Sequence, residues 1–149
     1  DLTGAKLDGA DLSYAQMMGV KMPGVTLTDL NMSNVSLSSS QLKGAALDGA
    51  DLTMAFLDGA DLTGADLQGA NLNGADLNGA NLTKADLTNA NLTMPDGVFI
   101  GTSSGMAPAP GANLTGAYLN GAYFSNTICP DGSLNSGTSP CTAEQLNLV

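Results

Sequence analysis

The side chains of this 149-residue chain that could do chemistry are two cysteines, fourteen carboxylates and four lysines. The chain has no histidine, and Glu144 is its single glutamate. Acid–base and nucleophilic catalysis need a base beside the reacting group, and candidates for that role are nearly absent. Paired carboxylates could take the role only inside a cleft. We therefore expect that the protein is not an enzyme and that it needs no cofactor.

The two cysteines, Cys129 and Cys141, enclose 11 residues near the C-terminus. A zinc or other soft-metal site would need more cysteine or histidine ligands than the chain contains. A structural disulfide is the favoured interpretation, since closing a loop of about 15 residues contributes around 3 kcal/mol. A disulfide would favour an exported, periplasmic or thylakoid-lumenal location, while a cytoplasmic one stays open.

A five-residue period runs through most of the chain. Leucine or methionine occupies every fifth position from Leu2 to Leu92, and alanine or another small residue usually stands two positions earlier. The repeating unit reads Ala-(Asp/Asn)-Leu-x-Gly. Two residues spaced two apart lie on the same side of an extended segment, and the intervening Asp or Asn points away. Short extended segments joined by glycine corners therefore predict a solenoid with leucine and alanine inside.

The segment ADLTGADLQGANLNGADLNGANL, residues 60–82, resembles the consensus of the pentapeptide-repeat family almost residue for residue. The resemblance covers about 110 of the 149 residues. It implies an all-β fold, a right-handed quadrilateral β-helix with four pentapeptides per coil. Residues 20 apart should then stack. At roughly 4.8 Å per coil, five to six coils would form a rod of about 25–30 Å.

The departures from the period divide this single domain into four parts. Regular repeats occupy residues 1–94, a loop insertion occupies 95–111, and repeats resume over 112–129. Residues 130–149 are predicted to be a C-terminal cap. Thr142 and Gln145 form a capping box that predicts a short helix at its end. The chain begins at Asp1, already in phase, so the sequence leaves open whether a signal or capping segment was removed.

The aspartates fall mostly at outward positions of the units. Stacking by 20 aligns Asp11, Asn31, Asp51, Asn71 and Asn91 in one column. Asparagine between aspartates separates like charges, and its amide can bond along the stack. We therefore interpret the acidic columns as solvated structural ladders and predict no metal site.

A group of large apolar residues also falls at outward positions, at one corner of the rod. Its members are Tyr14, Met18, Met54, Phe56 and Met94. An apolar stripe on a soluble surface suggests that another segment or another molecule covers it. The loop that begins after Met94 carries Val98, Phe99 and Ile100, so it could fold back over the stripe. Weak self-association or a protein partner are the alternatives.

The formal charge of −10 excludes direct binding to nucleic acid or anionic lipid, and a charge-steered partner should be basic. The longest apolar run has three residues, so no membrane insertion is expected. We predict a structural or protein-interaction module in the form of a rigid acidic rod. The alternative is a DNA mimic that inhibits a type II topoisomerase such as DNA gyrase, as some relatives do. A third interpretation, surface binding to ice through threonine ladders, has less support than either of these.

Overall fold

Every five residues the chain closes a tight turn, and this turn is the building block of the fold. The computed structural model describes residues 1–93 and the backbone of four short strands, Phe99–Thr102 (β1), Gly105–Pro108 (β2), Thr127–Ile128 (β3) and Leu134–Asn135 (β4). Each unit has five positions, which we call, in chain order, the small, first outward, central, second outward and corner positions. In the unit 60–64 they are occupied by Ala60, Asp61, Leu62, Thr63 and Gly64.

The corner residue has a positive φ, for example 65° at Gly64 and 60° at Asn89. The next small residue then donates its N–H to the preceding central carbonyl, as from Ala65 to Leu62 at 2.9 Å. Glycine adopts this left-handed conformation without a Cβ penalty, and asparagine tolerates it. The glycine of the repeat is therefore explained by the turn.

Four turns complete one coil. Parallel β-bridges join residues 20 apart, such as Asp11 with Asn31 and Asn31 with Asp51. The predicted stacking by 20 is confirmed, and residues 1–93 form a quadrilateral β-helix. We number its sides in chain order by their central residues: side 1, Leu2, Met22, Leu42, Leu62 and Leu82; side 2, Leu7, Leu27, Leu47, Leu67 and Leu87; side 3, Leu12, Met32, Leu52, Leu72 and Leu92; side 4, Met17, Leu37, Leu57 and Leu77.

The interior of the coils is filled by the central and small residues. The central side chains are 0% exposed from Met22 to Leu92, and the alanines at the small positions from Ala45 to Ala90 are 0–1% exposed. In the first coil, Leu2, Leu7, Leu12 and Met17 are only partly buried against this core. Each fully buried leucine contributes about 1.5–3 kcal/mol, so stacking of the coils is the main stabilising interaction.

One buried polar atom interrupts the apolar interior. Ser40 takes a small position that alanine takes in the coils above it, at Ala60 and Ala80. It is 1% exposed, and its hydroxyl has no hydrogen-bond partner among the described residues. A buried hydroxyl without a partner costs about 1–3 kcal/mol.

We expect Ser40→Ala to raise the free energy of unfolding by about 1 kcal/mol, because it removes the unpaired hydroxyl and leaves the turn intact. Urea denaturation followed by circular dichroism measures the change. The matched control is Ala60→Ser at the same position one coil later, which should lower stability. A loss of stability in Ser40→Ala would show that the hydroxyl has a partner.

Two antiparallel pairs of strands lie after residue 93. β1 pairs with β2, with Phe99 opposite Pro108 and Thr102 opposite Gly105. β3 pairs with β4. The sequence predicted only a loop over residues 95–111, and β1 is a strand because phenylalanine, isoleucine and threonine favour extended backbone. The predicted helix after Thr142 lies outside the described residues. Within the described part, no helix has the length and apolarity of a membrane span.

Candidate interaction surface

The first outward residue of each unit has a structural task that determines what its carboxylate can do. The five N–H groups of the unit 60–64 all find acceptors: those of Ala60, Asp61, Leu62 and Gly64 donate to the carbonyls of Leu57, Ser40, Asn81 and Thr83, and that of Thr63 donates to Asp61 Oδ1. Four donors are thus satisfied by backbone. The fifth is satisfied by a side chain.

This last bond recurs along the solenoid. Oδ1 of Asp or Asn accepts the N–H two residues later at Asp11, Asn31, Asp51, Asp66, Asn71, Asp76, Asn81, Asp86 and Asn91. Aspartate and asparagine both offer this oxygen, and both form such local turns readily. The Asp/Asn alternation of the repeat therefore reflects a shared backbone cap, which the sequence analysis missed.

Bonds between coils account for other outward polar groups. Asn71 Nδ2 lies 2.9 Å from Thr53 Oγ1 and 3.4 Å from Asp51 Oδ1, as the predicted ladder requires. Thr28 donates its hydroxyl to Asp48 across one coil at 2.8 Å. No cluster of acidic or cysteine ligands suited to a metal ion occurs in the described residues.

Two hydrogen bonds from Ser13 act on the carboxylate of Asp11. The N–H of Ser13, 2.9 Å from Oδ1, and then the Ser13 hydroxyl hold the pKa of Asp11 below the ordinary value of 3.8. Hydrogen bonds favour the charged form of a carboxylate and outweigh the small desolvation that opposes them.

A pH dependence follows from this lowered pKa. Since the folded pKa is the lower one, we expect the stability contributed by Asp11 to be present above the unfolded pKa and lost as pH falls through the folded pKa. Carboxyl NMR titration should give a value below 3.8 for Asp11. Asp11→Asn keeps the acceptor oxygen and should remove this part of the acid sensitivity. Titration of Asp11 at or above 3.8 would contradict the cap.

Large apolar side chains gather at the corner between sides 3 and 4. Tyr14 is 71% exposed, Met18 68% and Phe56 51%, while Met54 is half-buried. We call these four residues the apolar corner. Met94, the fifth residue predicted for it, lies outside the described residues, as do Cys129 and Cys141. The role of the apolar corner as an interaction or docking surface stays a prediction.

The second coil interrupts the apolar corner and creates a groove. Ser36 and Ser38 point outward from side 4, yet they are only 7% and 9% exposed. Ser36 is bridged to Gln16 on one side and to Phe56 on the other. The larger side chains of the first and third coils thus extend further outward than the serines. These side chains cover most of both serines, and we call this narrow, covered row the serine groove, with Ser36 and Ser38 as its floor.

Backbone strain accompanies the apolar corner. Tyr14 and Met54 take corner positions with φ of 58° and 57°. Gly74 follows Met54 in this column, one coil later. A bulky residue in the left-handed region costs about 1–2 kcal/mol relative to glycine. The chain retains large apolar side chains here against both solvent and backbone preference. Ser39 and Lys84 have the same conformation at other corners, so a positive φ is a general feature of the corner position.

Charge is divided unequally among the sides. Sides 3 and 4 carry carboxylates at Asp11, Asp51, Asp58 and Asp76 and no lysine in residues 1–93. Lys21, Lys43 and Lys84 belong to side 1 and its corner, and Lys6 to side 2. The apolar corner and the serine groove therefore lie in a uniformly negative part of the surface.

A cavity of about 300 Å³ lies between the first two coils on side 2. Residues 4–8 and 24–26 line it, and Lys6 and Asp8 are its charged members. The β-bridges of the described coils begin at Asp11, so this stretch of the first coil is not bridged to the second. The cavity is a gap between coils and brings no reactive pair together.

Comparison with known proteins gives one family match. The model of pentapeptide repeats matches in eight copies, over residues 1–24, 24–53, 55–93 and 110–129. No curated protein matches the chain.

Several solved structures are similar. HetL of the cyanobacterium Nostoc, a pentapeptide repeat protein involved in heterocyst differentiation regulation, is 33% identical over 90% of this chain, with a TM-score of 0.45. The chain spans 55% of HetL, about half its length. A pentapeptide repeat protein of the Arabidopsis thaliana thylakoid lumen is 29% identical over 84% of this chain and 68% of its own, with a TM-score of 0.47. The plasmid-mediated fluoroquinolone resistance protein QnrB1 is 21% identical over 78% of this chain and 57% of its own, with a TM-score of 0.40.

Proposed function

Because the chain belongs to the pentapeptide-repeat family, whose members are generally non-catalytic structural or interaction modules, we propose that it is a protein-interaction module that binds its partner through the apolar corner. The rod holds that corner in a fixed geometry. Repeat proteins commonly use such extended, rigid surfaces for binding.

The observation that carries the proposal is the exposure of Tyr14, Met18 and Phe56 on a rod whose interior is already filled. Tyrosine, phenylalanine and methionine are enriched in protein interfaces relative to other surfaces. A few such residues supply most of the binding energy in many complexes.

The capping of backbone N–H groups by aspartate favours a non-catalytic role. The oxygen that accepts the neighbouring N–H fixes the carboxylate on the outer wall of the coil. The outward carboxylates also stand on a convex wall, whereas acid–base pairs work in clefts.

Photo-crosslinking tests the proposal. We would place p-benzoylphenylalanine at Met18, and at Lys43 as an exposed control on side 1, in cells that naturally make the protein. The proposal expects an adduct with another protein at position 18 and not at 43. Equal adducts at both positions would contradict it. A crosslink within the chain to residues 95–111 would instead support docking of the predicted loop.

A second candidate, mimicry of DNA towards a type II topoisomerase, is favoured by side 2. Each coil has one carboxylate on this side or its corner, namely Asp8, Asp29, Asp48, Asp66 and Asp86, and Lys6 is the single cation of side 2. The lysines of side 1 interrupt the negative charge there, so side 1 does not continue an acidic surface that resembles DNA. A gyrase supercoiling assay decides between the candidates, because micromolar protein without inhibition removes this one.

A further inference from the structure

We propose that the cavity between the first and second coils on side 2 binds a short peptide with free termini, about two residues long. The apolar corner lies between sides 3 and 4, so the two sites are separate. The inference therefore goes beyond the proposed function, and either one can fail without the other.

The cavity opens where the hydrogen-bond ladder between two coils is interrupted. On side 2 the second and third coils are joined by three backbone bonds of 2.8–2.9 Å, in which the N–H groups of Leu27, Asp29 and Ala46 donate to the carbonyls of Ala46, Asp48 and Val25. The three equivalent bonds between the first and second coils do not occur in the described part of the chain. They would join the N–H groups of Leu7, Gly9 and Thr26 to the carbonyls of Thr26, Thr28 and Ala5.

The interruption is local and has fixed ends. Before it, the Leu2 N–H donates to the Lys21 carbonyl at 2.7 Å, and after it the Leu12 N–H donates to the Asn31 carbonyl at 2.8 Å. The coils are thus bonded on both sides of the opening. Its volume of about 300 Å³ is at the lower end of the range for small-ligand pockets. That size suits a ligand of a few residues.

The unpaired groups on the two rims favour a ligand with a peptide backbone. Extended peptides bind to proteins by pairing their N–H and C=O groups with an unpaired strand edge. Each rim of this opening offers both donors and acceptors, so one peptide group between the rims can bond to either coil. Leu7 is partly buried and Val25 is 4% exposed, and together they give the cavity an apolar floor for a small aliphatic side chain.

The charged residues of the cavity match the two ends of a zwitterion. Lys6 and Asp8 both line it, and neither has an ion pair with another described residue. They stand two positions apart on one extended segment, which is about 6.8 Å, and the charged ends of an extended dipeptide are separated by a similar distance. The carboxylate of the ligand would accept from the Lys6 ammonium, and its own ammonium would donate to the Asp8 carboxylate.

The experiment titrates the ¹⁵N-labelled full chain with dialanine and follows backbone amide shifts by NMR. We expect saturable shifts at residues 4–9 and 24–28 with millimolar affinity. Acetyl-dialanine lacks the ammonium and dialanine amide lacks the carboxylate, and each should bind about threefold more weakly than dialanine. Sodium acetate, which has neither an ammonium nor a peptide group, should give no saturable shifts at these residues.

Two charge variants assign the ends of the ligand. Both side chains are exposed, so the fold should tolerate the changes. In Lys6→Gln the difference between dialanine and dialanine amide should disappear, while acetyl-dialanine still binds more weakly. Asp8→Asn should show the reverse pattern.

A matched pair of variants tests the cavity itself. Ala5 lines the cavity, and Ala5→Leu should fill it and abolish the saturable shifts. Ala15→Leu is the control, because Ala15 takes the small position of side 4 in the same coil. Valine follows one coil later in both columns, at Val25 and Val35, so the two sites are alike in sequence. The control should keep the affinity for dialanine.

Hydrogen exchange in the free protein gives an independent measurement. The amides of Leu7, Gly9 and Thr26 should exchange faster than their bonded equivalents one coil later, and dialanine should slow them. Equal protection of both sets without ligand would show that the ladder is closed and would overturn the inference. Equal binding of dialanine and its two blocked forms, saturable binding of acetate, or an equal loss in Ala5→Leu and Ala15→Leu would each contradict it as well.

Discussion

Replacing Leu57 by alanine should lower the free energy of unfolding by about 3 kcal/mol, which is a large fraction of the stability of a domain of this size. Leu57 is 0% exposed and stacks between the central residues Leu37 and Leu77. The narrow alanine positions around it hold the walls at a fixed spacing, so the coil cannot collapse into the space that the side chain leaves. The loss includes the transfer free energy of the missing methyl groups and the cost of the cavity.

The first coil provides the matched control for this prediction. Leu7 has the same position in its unit as Leu57, but it is only partly buried against the core. We expect Leu7→Ala to cost about 1 kcal/mol, in proportion to its smaller buried area. Urea denaturation of both variants measures the difference. Equal losses would show that the first coil is packed as tightly as the third.

A period of five was enough to predict most of the solenoid. It identified Leu57 and Ala60 as interior, Asp61 as outward and Gly64 as a corner, because side-chain direction alternates along an extended segment. The stacking of residues 20 apart came from resemblance to a family. Nothing in a five-residue period by itself specifies four sides rather than three.

The task of the aspartates was harder to predict, because it depends on which backbone donors remain unpaired. The Thr63 N–H has no carbonyl within reach in the coiled backbone, and only the folded geometry reveals that Asp61 fills this need. A signal was nevertheless present, since Asp and Asn alternate freely at this position. Their shared feature is the Oδ1 acceptor and not the charge.

The apolar corner was predicted from outward positions, and the serine groove was not. Arithmetic on residue numbers places Tyr14 and Phe56 at one corner, but it gives no depth. The burial of Ser36 at an outward position depends on the size of its neighbours one coil away. The depth of a feature on a solenoid surface thus depends on the sizes of the side chains that stack in one column. To find it from the sequence, residues 20 apart must be compared.

Gly49→Ala should be the most costly of the corner substitutions, because two effects combine at this position. Gly49 has φ of 66°, where an alanine is strained by about 1–2 kcal/mol. A Cβ built on Gly49 would also lie 2.0 Å from Asp29 Oδ1 and 3.2 Å from Asp29 Cγ, in the coil before it. Asp29 must leave its position to make room. We expect a loss of about 1–2 kcal/mol in the free energy of unfolding from the strain, and a smaller further loss from displacing the Asp29 side chain.

The chain contains a control that separates the two effects. Gly69 stands one coil later in the same column with φ of 65°, and a Cβ there would meet nothing within 4 Å. Gly69→Ala should therefore show the backbone strain alone, about 1–2 kcal/mol. In an Asp29→Gly background the extra loss in Gly49→Ala should disappear, because the obstructing carboxylate is gone. The double-mutant cycle, measured by urea denaturation, gives this coupling directly, and equal losses at Gly49 and Gly69 in the original background would contradict it.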